Sequence, residues 1–167
     1  IIIEDLGHQV RIKNKVERVV SLVPTNSELV CILDCDRLKG GTRNDRHPEE
    51  LVKRIKAGNV KVIGGGFDPN LEMIVRLEPD IIIANGPSQQ RVVLPLRRMG
   101  YPVLSIYAQN IERLKKDFFI LVRPFYSVNG WMLNNKQLEK WGVDIENVNL
   151  VFDANEADIM ICLLYTS

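Results

Sequence analysis

A chain of 167 residues, 46% hydrophobic and 26% charged, can enclose one ordinary core and is too apolar for a disordered or fibrous protein. Its 22 basic and 21 acidic side chains nearly cancel, and no basic stripe with interleaved aromatics is present, so nucleic acid is not expected as a partner. No apolar run approaches the roughly 20 residues that a membrane-crossing helix requires. The opening at Ile1, straight into strand-like sequence, reads as a cut edge, with no signal segment in the chain. From there, Ile1 to Ile12 reads as two short strands around a turn at Asp5 to Gly7. Val19-Val20-Ser21-Leu22-Val23 is a continuous, β-branched apolar run that suits a buried parallel strand. Pro24-Thr25-Asn26 then leads into a helix from Ser27, with Thr25 or Asn26 as the expected cap and Glu28 in the first turn. Leu38 to Thr42 reads as a strand, and Pro48 to Ala57 as a helix opened by Pro and acids. Val62-Ile63 runs into a flexible loop at Gly64-Gly65-Gly66. Asn70 to Leu77 is a short helix with Leu71, Ile74, Val75 and Leu77 available to face the core, stopped by Pro79-Asp80.

Ile81-Ile82-Ile83-Ala84 is a second buried strand, followed by a loop at Asn85-Gly86-Pro87. Ser88 to Met99 reads as a helix kinked at Pro95 and closed by Gly100. Pro102 to Tyr107 is the next strand, and Asn110 caps a helix from Ile111. Beyond Asp117 the pattern loosens. Phe118 to Val122, Asn149 to Phe152 and Ile159 to Ile161 read as strands, and Leu133 to Trp141 as a helix. The alternation of strands and helices predicts an α/β, Rossmann-like lobe with a mainly parallel sheet covered on both faces. Ligands of such sheets bind outside the carboxyl ends of the strands. That places the candidate site on the loops Pro24 to Asn26, Thr42 to His47, Gly64 to Phe67, Asn85 to Pro87 and Tyr107 to Asn110. The ligand-binding candidates are Pro24, Thr25, Asn26, Arg43, Asn44, Arg46, Phe67 and Asn85.

The chemical motifs point away from catalysis. Gly64-Gly65-Gly66 is followed by no Lys-Ser or Lys-Thr pair and does not match a dinucleotide fingerprint. No Gly-x-Ser-x-Gly elbow exists, and Ser21 and Ser27 have no evident His partner, so turn and capping hydrogen bonds explain them. His8 and His47, the 2 histidines, are too few for a histidine-built metal site, and neither a metal site nor a cofactor is expected. Glu49 and Glu50 open a helix, where the dipole accounts for them. Cys31 and Cys35 share a face of a predicted helix, but that geometry rarely permits a bridge. They read, with Cys162, as small buried or half-buried thiols. Arg43-Asn44-Asp45-Arg46 reads either as a solvated charged loop or as a contact for an anionic ligand through charge-assisted hydrogen bonds.

Taken together, four segments carry a resemblance. They are Asp5-x-Gly7-x-x-Val10, then Arg18-Val19-Val20-Ser21-Leu22-Val23-Pro24-Thr25-Asn26-Ser27-Glu28, then Asn70-Leu71-Glu72-x-Ile74 with Leu77-x-Pro79-Asp80-Ile81-Ile82-Ile83, and finally Gly100-Tyr101-Pro102-Val103. In this order over about 110 residues, they resemble extracytoplasmic solute-binding proteins of the vitamin B12, haem and ferric-siderophore uptake class. The resemblance implies two α/β lobes joined by a long rigid helix, a ligand held between them, and delivery to an ABC permease with its ATPase. It implies a monomer that is periplasmic or lipid-anchored at the cell surface. It also implies that Glu72 docks against permease arginines. Members that bind B12 carry aromatics on these loops. Here the stretches are Arg43-Asn44-Asp45-Arg46 and Asn85-Gly86, with Phe67 the nearby ring, which leans toward an iron chelate or another anionic metal complex.

The expected organisation is a solute-binding lobe at 1–116, a partial and poorly matched carboxyl-terminal segment at 117–161, and a non-native tail at 162–167. The tail, Cys162-Leu163-Leu164-Tyr165-Thr166-Ser167, resembles one reading frame of a transposon-based sequencing adaptor. Two other readings compete with a binding lobe: a cytosolic α/β enzyme using a nucleotide on the same loops, and a sensor or adhesin module on the same fold. The enzyme reading calls for a phosphate loop or an acid–base pair, and neither is visible.

Overall fold

The computed structural model describes residues 2–3, 9–12, 16–106, 148–151 and 162–165. Two compact units divide the chain, Ile1–Phe125 and Tyr126–Ser167. In the first unit, β1 (Ile2–Ile3) pairs antiparallel with β2 (Gln9–Val10), as the expected hairpin requires; its turn lies outside the described residues. A five-stranded parallel sheet follows, built from β3 (Val19–Ser21), β4 (Leu38–Gly41), β5 (Lys61–Val62), β6 (Ile81–Asn85) and β7 (Val103–Ile106). Its order is β5-β4-β3-β6-β7. The two continuous apolar runs, β3 and β6, lie side by side in the middle, where both faces of a strand are covered and no polar alternation is needed.

The helices are α1 (Pro24–Asp34), α2 (Glu49–Lys56), α3 (Leu71–Arg76) and α4 (Gln90–Arg98). From β3 the chain steps through α1, β4 and α2 toward the β5 edge. It then returns through α3 to β6 and steps through α4 to β7, in the opposite direction. With right-handed crossovers, opposite directions put α1 and α2 on one face of the sheet and α3 and α4 on the other. One core forms where Val20, Ile82 and Ala84 of the strands meet Ile74 of α3 and Val92, Val93 and Leu96 of α4. By the two-residue period of a strand, Val19, Ile81 and Ile83 point to the other face, and all three are fully buried.

The turn residues explain why the elements stop where they do. Strand β3 ends at Ser21, two residues before the apolar run Val19-Val23 does. The Leu22 N–H still reaches the Ile83 carbonyl (2.9 Å), and the Ser21 hydroxyl donates to the Val23 carbonyl (2.8 Å), so the chain bends away just after Leu22. The expected Thr25 or Asn26 cap does not form. Val23 is the extended residue before the helix, Pro24 opens α1 and needs no N–H partner, and Ser27 Oγ donates to the Val23 carbonyl (3.2 Å). Glu28 accordingly falls outside the first turn. In α3, Asn70 caps through its side chain, which accepts from Met73 N–H (2.9 Å). Leu71, Met73 and Leu77 are the partly buried residues beside Ile74, whereas Val75, expected toward the core, is exposed. Asp80 joins the amino ends of the two central strands by accepting from the backbone N–H groups of Glu17 (3.0 Å) and Arg18 (3.1 Å). Gly100 closes α4 in the left-handed conformation (φ +90°), as expected. The segment expected as the start of that helix forms a separate 3-10 turn at Pro87–Gln89.

Cys31 and Cys35 are joined in a disulfide, which corrects their reading as free thiols. The reason is local. Asp34 leaves the helical region (φ −167°, ψ 96°) before a 3-10 turn at Cys35–Arg37, so Cys35 does not occupy the helical position that would hold its sulfur away. Arg54 of α2 reaches this turn, bonding Asp36 (2.6 Å) and Glu50 (2.9 Å). Those two acceptors, Asp36 foremost, hold its pKa above the ordinary value.

In the second unit, β8 (Val148–Val151) pairs antiparallel with β9 (Cys162–Tyr165). The strand expected at Asn149 to Phe152 is thus present one residue earlier. The elements expected at Ile111, Phe118 to Val122, Leu133 to Trp141 and Ile159 to Ile161 lie outside the described residues, as does the loop Tyr107 to Asn110.

Candidate functional site

The connections of β3 and β6 leave in opposite directions, which marks the carboxyl ends of these two strands as the switch point where sheets of this kind bind ligands. Around it stand four segments: the Leu22–Pro24 turn, the Thr42–His47 loop, the Gly64–Pro69 loop and the Asn85–Gln89 loop. A cleft of about 400 Å³ lined by Gln9, Arg11, Arg97 and Tyr101 lies at the amino end of β7, away from this switch point.

Gln89 ties three of the four segments together. It is 2% exposed. Its Nε2 donates to the carbonyls of Leu22 (3.0 Å) and Gly66 (2.6 Å), and its Oε1 accepts from Asn85 N–H (2.7 Å). The glycine run that read as a flexible loop is therefore packed. At Gly66 an added Cβ would strike the Leu22 carbonyl and the Gln89 amide, and Gly64 sits at φ +108°, which side chains rarely adopt. Close backbone approach does occur there, to the protein's own chain.

The predicted residues divide into those that hold the rim and those that face outward. Asn26 is buried and its Nδ2 donates to the Ala84 carbonyl (3.3 Å), fastening α1 to the end of β6. Pro24 and Asn85 are half-buried and Thr25 is exposed. The Arg43-Asn44-Asp45-Arg46 cluster is split. Asp45 turns inward, accepting from Thr42 Oγ1 (2.7 Å) and Thr42 N–H (3.1 Å), and so fixes the loop. Arg43, Asn44 and Arg46 are left exposed.

Arg43 is drawn to the glycine loop. Its N–H donates to the Gly64 carbonyl (2.9 Å), and its Nη2 meets Asp68 Oδ2 at 2.7 Å. Beside Asp68, Phe67 is 73% exposed. The rim therefore offers guanidinium groups and one bare ring next to an anchored backbone, which suits a partly anionic molecule with an apolar or aromatic body. Glu72, in the first turn of α3, is exposed and pairs with Arg76 (2.6 Å). Among the described residues no group of three or more His, Cys, Asp or Glu is placed to hold a metal ion, and no helix is long and apolar enough to cross a membrane.

Sequence reading missed Gln89 and Asp68. No local pattern marks Gln89, because Leu22 and Gly66 are 67 and 23 residues away. Asp68 could have been noticed only as a carboxylate beside Phe67 in a loop already singled out.

No protein-family model matches the chain. It is 32% identical over 121 residues to an uncharacterized ABC transporter substrate-binding lipoprotein, YvrC, of Bacillus subtilis (strain 168), covering 69% of this chain and 36% of that protein. It is 30% identical over 98 residues to the vitamin B12-binding protein of Salmonella typhi, covering 58% and 34%. Among solved structures, the siderophore-binding protein BauB, bound to ferric iron and two acinetobactin molecules, superposes with a TM-score of 0.65 at 19% identity, over 84% of this chain and 47% of that one. The two relatives and the solved neighbour are named as substrate- or ligand-binding proteins, and the solved neighbour shares the fold of this chain. The chain spans about a third of the length of the curated relatives it matches.

Proposed function

We propose that the chain is the amino-terminal lobe of an extracytoplasmic solute-binding protein that captures an anionic iron chelate, a ferric siderophore or haem, and delivers it to the permease of an ABC importer. On this reading residues 1–116 form the lobe and residues 117–161 begin the remainder of the binding protein. The observation that carries the ligand class is the outward placement of Arg43 and Arg46 on a loop at the carboxyl end of β4, beside the exposed Phe67. A planar guanidinium fork matches carboxylate or catecholate oxygens in a way a lysine cannot.

Roles follow for the rim. Arg43, Arg46 and Asn44 contact the anionic groups of the chelate, Phe67 and Pro24 its apolar body, and Thr25 and Asn85 its polar edge. Asn26 and Gln89 hold the loops that carry them. Glu72 stands apart on α3 and meets the permease.

The test is Arg43→Ala with Arg46→Ala in the full-length protein. Each charge-assisted hydrogen bond contributes roughly 1.5–3 kcal/mol, and in a cleft open to water the lower end applies, about tenfold per arginine. The double variant should bind a ferric siderophore or haem on the order of a hundredfold more weakly if the two act independently, and neutral ligands nearly unchanged. Undiminished affinity for the anionic chelates would remove the ligand assignment.

A further inference from the structure

We propose that Asp68 is an internal counter-ion at Arg43 that an incoming anion must displace, so that it keeps singly charged anions off the rim. The proposal rests on the reading of Arg43 as an anion contact. Arg43 is held at two points, by its N–H on the Gly64 carbonyl (2.9 Å) and by Nη2 on Asp68 Oδ2 (2.7 Å). The pair closes over Gly65, where an added Cβ would strike the Asp68 carboxylate and come within 3.3 Å of Arg43 Nη2. Glycine at 65 is what lets the two charged groups meet there.

The consequence is competitive. Asp68 occupies part of the fork that a ligand carboxylate would otherwise take. Both side chains stand in water, 55% and 71% exposed, where such a pair is weak and screened. It is therefore displaceable, not a strut. A single carboxylate that replaces Asp68 exchanges one ion pair for another and gains little. A polyanionic chelate gains more, because it engages Arg43 and, at the same time, Arg46, which has no ion-pair partner among the described residues. Displaced, the Asp68 carboxylate passes to solvent at small cost.

Asp68→Asn preserves shape and removes the competing charge. The probes are ferric citrate and acetate, titrated calorimetrically into the 167-residue chain at several salt concentrations, with circular dichroism confirming that each variant stays folded. One lobe encloses only part of a ligand, so the parent's affinity will be weak. Asp68→Asn should tighten ferric citrate about two- to fivefold and steepen its salt dependence, as expected for the removal of one exposed pair. It should tighten acetate by a similar factor, read as a lower acetate concentration needed to compete with ferric citrate. Arg43→Ala should weaken ferric citrate, and in that background Asp68→Asn should change little, because the competition acts through Arg43. If Arg43→Ala weakens binding while Asp68→Asn leaves it unchanged or weaker, the counter-ion role is overturned and the anionic-ligand reading stands. If neither Arg43→Ala nor Arg46→Ala weakens ferric citrate, or if no variant binds it saturably, both fall.

Discussion

Replacing Gln89 with Met is the sharpest perturbation of the rim. The side chains are close in volume, so the change removes hydrogen bonds and leaves little cavity. Three backbone groups lose a partner: the Leu22 carbonyl, the Gly66 carbonyl and the Asn85 N–H. Gly66 and Asn85 are half-buried and can recover part of the loss from water, whereas Leu22 is fully buried. An unsatisfied buried group costs about 1–3 kcal/mol, so one full penalty and two partial ones come to about 3 kcal/mol. Urea denaturation followed by circular dichroism reads the total. Amide hydrogen exchange reads the location, because loss of the Gln89 clamp should raise exchange at Asn85 and along the Gly64–Pro69 loop before it does so in β3 or β6. Gln89→Glu should cost more at neutral pH, since a carboxylate oxygen would then face two carbonyls. A loss below about 1 kcal/mol for Gln89→Met with unchanged loop exchange would show that the clamp contributes little and that the loops hold themselves.

Three further outcomes are expected. Asp80→Ala leaves the Glu17 and Arg18 N–H groups without their shared acceptor, so stability should fall by about 2–3 kcal/mol in the same denaturation assay, with Asp80→Asn recovering part of it. Glu78, just past α3, sits at φ +47°; Glu78→Gly should relieve that strain and stabilise by about 0.5 kcal/mol after the glycine's own entropy cost, visible as a small rise in Tm. Glu72→Lys in the full-length protein should weaken transport and leave chelate affinity nearly unchanged, because the residue is exposed and paired only with its helix neighbour Arg76 among the described residues; lost affinity with intact transport would reverse its assignment.

Chain order carried much of the fold. Val19 to Val23 and Ile81 to Ala84 are so continuously apolar that only the middle of a parallel sheet covers them, and β3 and β6 lie there. Local chemistry also placed punctuation that depends on near neighbours, such as Gly100 after α4. The carboxyl-end loops followed from topology alone, so Arg43, Phe67 and Asn85 were already candidates.

Local sequence could not decide which of those polar residues face outward. Asn26 looks as available as Thr25 until folding brings the Ala84 carbonyl within its reach. The same holds for the Cys31–Cys35 bridge, which depends on the backbone leaving the helix at Asp34, and for the glycine loop, whose rigidity comes from a glutamine in another loop. Hydrophobic periodicity is written into consecutive residues, so it survives in the sequence. A hydrogen bond between groups 67 positions apart exists only once the sheet has set their distance.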